Sequence, residues 1–409
     1  MSDIASNAEV TPLTEPTATP VSKGLLFADC ALLGLTAWGG FMALLAQAQE
    51  RFVKKRQWVT EKEFLELIAL VTMLPGPQAV NAIATMGHRV AGWGGFAAAL
   101  AGIVLPGFLI IVGLWYGYSF LVGYPKVLKA VTVGVLPPLA VILAQAAFNQ
   151  AKKSTPGHKE KALAVAATAL LLMIPYWAAP IYVLVFGAFV STVAWPAPKQ
   201  TAHEQGRRLK PLEMLLCFAP ISLAVFQLVP ALLPQTLVAQ VGLAFSGLST
   251  TLFGGGLVMV PLLEGYIVDH LHWLDHAGFS AGLAASQLTP GPILSIATFT
   301  GMQAAGLAGA VAATIGIYLP TALISVGVSG VADRLKSSRM FQHAMVGVRC
   351  AVVGLIAGAA ISLLLKLPFK TIPWQAAALV GAAYFTVWRF KQPPYVSLPI
   401  GVLLAWLLM

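Results

Sequence analysis

An apolar run long enough for a membrane helix is interrupted at Leu74-Pro75-Gly76-Pro77, and the interruption returns as Thr289-Pro290-Gly291-Pro292, 215 residues further on. Proline lacks the N–H that a helix needs, its ring clashes with the preceding turn, and it pushes the residue before it out of the α region. Neither run can continue as one helix. In lipid, interrupted backbone survives only where protein buries it or a polar cavity borders it. Matched interruptions in two halves of one chain are therefore the best pointer the sequence offers to a substrate site.

The surroundings fit that setting. Of 409 residues, 58% are hydrophobic and 10% are charged, against roughly 25% charged in soluble domains. The chain reads as an all-α polytopic membrane protein lying mostly in the lipid bilayer. Its net charge of +10 does not point to nucleic acid, because Lys and Arg gather in short loops between apolar spans. Cys30, Cys217 and Cys350 lie in apolar segments without metal or CxxC spacing, so neither a disulfide framework nor a zinc site is expected.

Residues 1–22 read as a disordered tail with no secretory signal. A first repeat is expected over 23–197, a connector and linking span over 198–238, and a second repeat over 239–409. First-half spans are expected at 24–47, at 91–116 with a kink at Pro106, at 128–150, and as two short helices in 162–195; 212–233 reads as the linking span. Thr60 and Glu63 form a capping box opening a helix that runs to about Met73. After the break a helix resumes to about Gly87. Second-half spans read at 240–263, 277–300, 305–330, 343–365, 372–388 and 394–409.

The repeat is visible residue by residue. At a spacing of 215, Gly39, Gly40, Trp58, Phe64 and Pro75-Gly76-Pro77 match Gly254, Gly255, Trp273, Phe279 and Pro290-Gly291-Pro292. At 214, Gly92, Gly95 and Pro106 match Gly306, Gly309 and Pro320. This is an internal duplication. The loop after the first span carries Arg51, Lys54, Lys55, Arg56 and Lys62; its counterpart, 264–276, carries Glu264, Asp269, Asp275 and three histidines. Opposite bias in equivalent loops argues for inverted repeats.

Each break ends one helix and starts another, re-entrant or spanning, near mid-membrane. A helix start exposes unpaired N–H groups and about half a positive charge, and such ends bind anions. The candidate substrate site is Pro75, Gly76, Pro77, Gln78 and Asn81 with Thr289, Pro290, Gly291, Pro292 and Ser295, and Thr298 beyond. Arg349, inside an apolar span, reads either as an anion ligand or as a side chain snorkelling to the interface; Arg89 has the same two readings. Asp29 and Glu264 are the carboxylates at membrane depth and the candidates for ion coupling, although Asp29 lies near a helix start where it could reach water. His270, His272 and His276 lack a metal motif and belong to an aqueous loop, so no metal or cofactor is expected. Without paired acids or a nucleophile–base pair, a transporter or channel is favoured over an intramembrane enzyme.

The pattern Trp38-Gly39-Gly40, Arg56-Gln57-Trp58, Leu74-Pro75-Gly76-Pro77, Val80-Asn81, Gly87-His88-Arg89 and Leu105-Pro106 resembles the chromate ion transporter family. Phe253-Gly254-Gly255-Gly256 through Leu319-Pro320 resembles the same domain again, as in long, two-domain members. The resemblance implies a multi-pass secondary transporter of a bacterial inner membrane that exports chromate, with sulfate as the competing analogue. A channel or an importer of sulfate-like anions is the alternative, and a homodimer is left open. Two departures stand out. The serine that follows the closing Leu-Pro in the family is Gly107 here and Thr321 in the second copy. The glutamine common before the first break is missing near Val71-Thr72, whereas Gln287 stands before the second.

Overall fold

The computed structural model describes residues 21–38, 40–174, 176–194, 236–253, 256, 260–329, 339–367 and 372–408. The tail, the connector with Lys199 to Lys210, the expected span at 212–233, and Cys217 lie outside them. The first repeat comprises α1 (Lys23–Thr36), α2 (Gly40–Gln49), α3 (Glu61–Val71), α4 (Gln78–Leu121), α5 (Pro125–Ser154), α6 (His158–Met173) and α7 (Ala179–Ala194). The second comprises α8 (Leu237–Thr250), α9 (Val260–Glu264), α10 (His276–Leu288), α11 (Ile296–Ser329), α12 (Arg339–Leu365), α13 (Pro373–Ala383) and α14 (Pro394–Leu408). Among the described residues four helices, within α4, α5, α11 and α12, are long and apolar enough to cross a membrane.

The duplication reaches individual backbone angles. Gly76 and Gly291 have φ of 103° and 93°. Ala91-Gly92 and Ala305-Gly306 break α4 and α11 with nearly the same dihedrals, Gly92 and Gly306 both at φ 61°, ψ −155°. Single π-helical turns follow α2 and α9, at Glu50–Lys55 and Gly265–His270, and Gln57 and His272 both take φ 52° after them. Helix starts are capped in both copies: Thr60 and Glu63 make the expected box on α3, and Asp275 accepts from Gly278 N–H at 2.7 Å on α10.

Two spans are built differently from the sequence reading. The run 24–47 is not one span, because helix geometry stops after Thr36 and resumes at Gly40. The chain then doubles back. Gln47 Nε2 donates to the Thr36 carbonyl at 3.3 Å, and Arg51 and Arg56 reach Asp29, far down α1. The run 240–263 is likewise divided between α8 and α9. The sharp break in α4 falls at Ala91-Gly92 rather than Pro106, which is accommodated inside the helix. Gly92 adopts a backbone conformation that is essentially reserved for glycine.

The segments flanking the second Pro-Gly-Pro run also fold back on each other, so that a Cβ at Gly282 would lie 2.7 Å from the Phe299 ring. Beyond the glycine breaks, the long arms of α4 and α11 run antiparallel. Phe96, early in one arm, shares a buried cluster with Ala322 and Val326, late in the other. Trp115, late in the first, hydrogen-bonds Gln303, just before the second begins, at 3.0 Å. The repeats are also interlocked. Gly134 of α5 packs on Gly401 of α14, while their counterparts Gly347 of α12 and Gly187 of α7 make the same close approach. Small residues let membrane helices approach in this way.

Gly92→Ala and Gly306→Ala test the matched breaks. A Cβ at either position meets nothing within 4 Å, so any loss is conformational. Each variant should lose about 1–3 kcal/mol in thermal unfolding, the two by similar amounts. Unchanged stability in either would show that its break does not need glycine.

Candidate functional site

The two Pro-Gly-Pro runs meet through the other repeat. Gly76 N–H donates to the Leu252 carbonyl at 2.7 Å, and Gly291 N–H donates to the Ala37 carbonyl at 3.0 Å. Because 76 matches 291 and 37 matches 252, the two bonds are one contact made twice, the mark of a two-fold arrangement. Each break thus sits on the end of the other repeat's first helix, α1 or α8. Glycine is needed at both. Besides the positive φ, a side chain at Gly76 would overlap Thr321, and one at Gly291 would come within 2.9 Å of the Gly34 carbonyl.

Around the breaks the buried polar groups are neutral. Gln78, Asn81, Thr85, Gln287, Thr289, Ser295, Thr298, Thr321 and Ser325 are all buried. Asn81 Nδ2 donates to the Pro75 carbonyl at 3.2 Å and Thr321 Oγ1 donates to Asn81 Oδ1 at 3.3 Å. Thr85 Oγ1 donates to Ser325 Oγ at 2.9 Å, and the Thr298 and Thr314 hydroxyls lie 2.8 Å apart. Pro77 caps α4 and Pro292 caps the 3₁₀ turn leading into α11; neither start has a side-chain cap. A cavity of about 450 Å³ opens where the end of α4 meets the second repeat's loop, lined by Trp115, Tyr118, His272, Asp275 and Gln303. The Tyr118 ring packs on Phe299, centroids 5.3 Å apart.

The structure brings Pro75 to Asn81 and Thr289 to Ser295 into buried positions at the breaks, with only Pro292 partly exposed among the residues whose side chains are described. It does not bring the arginines there. Arg89 is exposed before the α4 break, and Arg349 is exposed on α12. Asp29 does not reach water: it is 4% exposed and held by Arg51 at 2.8 Å and Arg56 at 2.7 Å. Glu264 is buried and takes hydrogen bonds from His276 and Lys366. Cys30 and Cys350 are buried and unbridged, and among the described residues no three His, Cys, Asp or Glu converge as metal ligands.

Sequence reasoning missed Thr321 and Ser325 as partners of the first break, and Arg51, Arg56 and Lys366 as partners of the buried carboxylates. For Thr321 a signal existed, since it occupies the position after Leu-Pro that differs between copies. For the cations none did, because the pairs join residues at least 22 apart in sequence across elements whose return path is tertiary.

The chain matches the family model described as Chromate transporter twice, over residues 24–192 and 239–407. It is similar to the chromate transport protein of Cupriavidus metallidurans, 29% identical over 369 residues, 89% of this chain and 88% of that one. It is similar to the chromate transport protein of Pseudomonas aeruginosa, 29% identical over 406 residues, 96% of this chain and 94% of that one. The probable chromate transport protein of Synechococcus elongatus is 28% identical over 331 residues, 81% of this chain and 82% of that one. No solved structure matches it.

One contact keeps its geometry between repeats and changes its chemistry. Gln49 Nε2 donates to Glu61 Oε1 at 3.1 Å; at the matching positions His276 Nδ1 lies 3.1 Å from Glu264 Oε1. Glu264 closes α9 and His276 opens α10, outside the four long spans. Burial pushes the Glu264 carboxyl up, but the bonds from His276 and Lys366 outweigh it and hold it below its usual range. The bond to Glu264 raises the His276 imidazole above its ordinary value, near 6.5. A raised folded-state value means that protonated His276 stabilises the fold, fully below about pH 6.5, and that this is lost as pH rises through the raised value. The apparent Tm should therefore fall across that window in the wild type and less in His276→Gln. Parallel pH profiles would contradict the assignment.

Proposed function

The chain belongs to the chromate transporter family, and we propose that it exports chromate, or a similar tetrahedral oxyanion such as sulfate, by alternating access between inverted repeats. The observation that carries this reading is the reciprocal docking of Gly76 on Leu252 and Gly291 on Ala37. It unites two helix starts without side-chain caps in one uncharged, hydroxyl- and amide-rich region. Helix starts favour anions through their free N–H groups and dipole. A dianion held by neutral donors meets no fixed cation, so it is held weakly enough to be released on the far side. Chromate and sulfate share shape and charge, and such a site separates them poorly.

Inversion is supported by two independent features. The matched arms of α4 and α11 run in opposite directions, as the shared cluster of Phe96 with Ala322 and Val326 and the Trp115–Gln303 hydrogen bond indicate. The matched loops carry opposite charge bias, as segments on opposite faces of a membrane do. Both fit a multi-pass protein of a bacterial inner membrane, where an inside-negative potential favours export by about 2.3 kcal/mol per charge per 100 mV. Coupling to protons or to counter-moving sulfate falls to Glu264 or Asp29, the buried carboxylates among the described residues. Arg89 and Arg349, both exposed, act in this reading as attracting charge rather than as contacts at the breaks.

Uptake of labelled chromate into everted vesicles tests the proposal. It should saturate, be inhibited by sulfate on the same side, and be accelerated by sulfate on the other. Gly76→Ala and Gly291→Ala should abolish it while the protein still inserts. Non-saturable flux without counter-exchange would make the protein a channel, and reduction of chromate to Cr(III) by the purified protein would make it an enzyme.

A further inference from the structure

The two breaks share a backbone and differ in how their polar side chains are satisfied. Asn81 and Ser295 are structural equivalents, each the first residue whose N–H returns to the capping proline carbonyl. Asn81 reaches Pro77 at 2.9 Å, four residues back, and Ser295 reaches Pro292 at 3.3 Å, three back. The tighter 3₁₀ turn absorbs the single residue by which the spacing drops from 215 to 214.

In the first half both ends of the Asn81 amide are engaged, by the Pro75 carbonyl and by Thr321. The residue in Thr321's place in the other copy is Gly107, which has no side chain to offer. Ser295 Oγ is correspondingly without a hydrogen-bond partner among the described residues, although Ser295 is only 5% exposed. The same contrast appears just before the breaks. Thr72 donates its hydroxyl to the Ala69 carbonyl at 2.9 Å. Its counterpart Gln287 is 8% exposed, and its Nε2 has no partner among the described residues. A buried donor left unpaired is costly, and this chain carries two flanking the second break while supplying partners at the first.

Building on the anion-transport reading, we propose that the anion is held asymmetrically, at the second break, with Gln287 Nε2 and Ser295 Oγ donating to it, and that Gly107 keeps Ser295 free to do so. Ser295 lies in the uncapped turn leading into α11 and Gln287 one residue before the end of α10; both are neutral donors, which suits a fully ionised tetrahedral oxyanion, a ligand made only of acceptors. The first break is the satisfied, structural half of the pair. The repeat symmetry that builds the site is thus broken by two positions, 107 and 287.

Titration of sulfate into the purified full-length protein, followed by calorimetry and by the sulfate-induced rise in Tm, tests this. Ser295→Ala and Gln287→Leu should each weaken sulfate binding about tenfold, the loss expected for one hydrogen bond to a charged group. Neither should lower the Tm of the sulfate-free protein, since no protein contact is lost. Gly107→Thr should weaken binding similarly by giving Ser295 a partner; a Cβ there meets only the Pro290 carbonyl, at 3.9 Å. Thr72→Val, the mirror of Gln287, should leave affinity within about twofold. Wild-type affinity in Ser295→Ala and Gln287→Leu, or a fall in their sulfate-free Tm, would overturn the asymmetric site while leaving the anion reading intact. Failure of the wild type to bind either sulfate or chromate would overturn both.

Discussion

Two backbone hydrogen bonds, Gly76 N–H to Leu252 and Gly291 N–H to Ala37, are what the rest of the structure depends on. A Pro-Gly-Pro run inside an apolar chain strands peptide groups that lipid cannot solvate. Each run here is completed by a carbonyl that the other repeat has stranded at the end of its own first helix. Neither repeat could bury its break alone. The exchange also explains the intertwining further out, where α7 packs on α12 and α14 on α5 through the glycine pairs Gly187–Gly347 and Gly134–Gly401.

Charge is kept away from this centre. The buried carboxylates Asp29 and Glu264 are neutralised by Arg51 with Arg56, and by His276 with Lys366. These pairs tie helices to loops rather than lining the breaks. Paired charges at the loops fix how the helices fold back, and the breaks carry neutral donors, the groups that in the proposed reading hold a dianion. A buried fixed cation at the breaks would bind such an ion more tightly and release it more slowly.

Much of this was legible in the residues. Glycines and prolines at spacings of 215 and 214 identify the duplication because each marks a backbone geometry that other residues cannot adopt, and Gly92 with Gly306 and Gly76 with Gly291 take those geometries in pairs. The interruption after Thr36 was not legible, since Trp38-Gly39-Gly40 falls inside an apolar run, 24–47, that reads as one span. Nor were the partners of Asp29, because pairing it with Arg51 and Arg56 requires α2 to double back. Arg349 reads from its depth in an apolar run either as a ligand or as a snorkelling side chain, and its exposure on α12 emerges only once the helices are packed. The contrast between Asn81 and Ser295 is the subtlest case. The two residues are visible in sequence, but the loss of a partner at Gly107 emerges only when the opposite repeat is folded against them.

The central claim is that the breaks hold the anion, and locating a bound anion tests it most directly. Chromium anomalous scattering from the protein saturated with chromate should place a single peak between the Pro77 and Pro292 helix starts, within hydrogen-bonding reach of Gln287 and Ser295. A peak at the exposed Arg349 or Arg89, or in the Glu264–Lys366 cluster, with none at the breaks, would contradict the account.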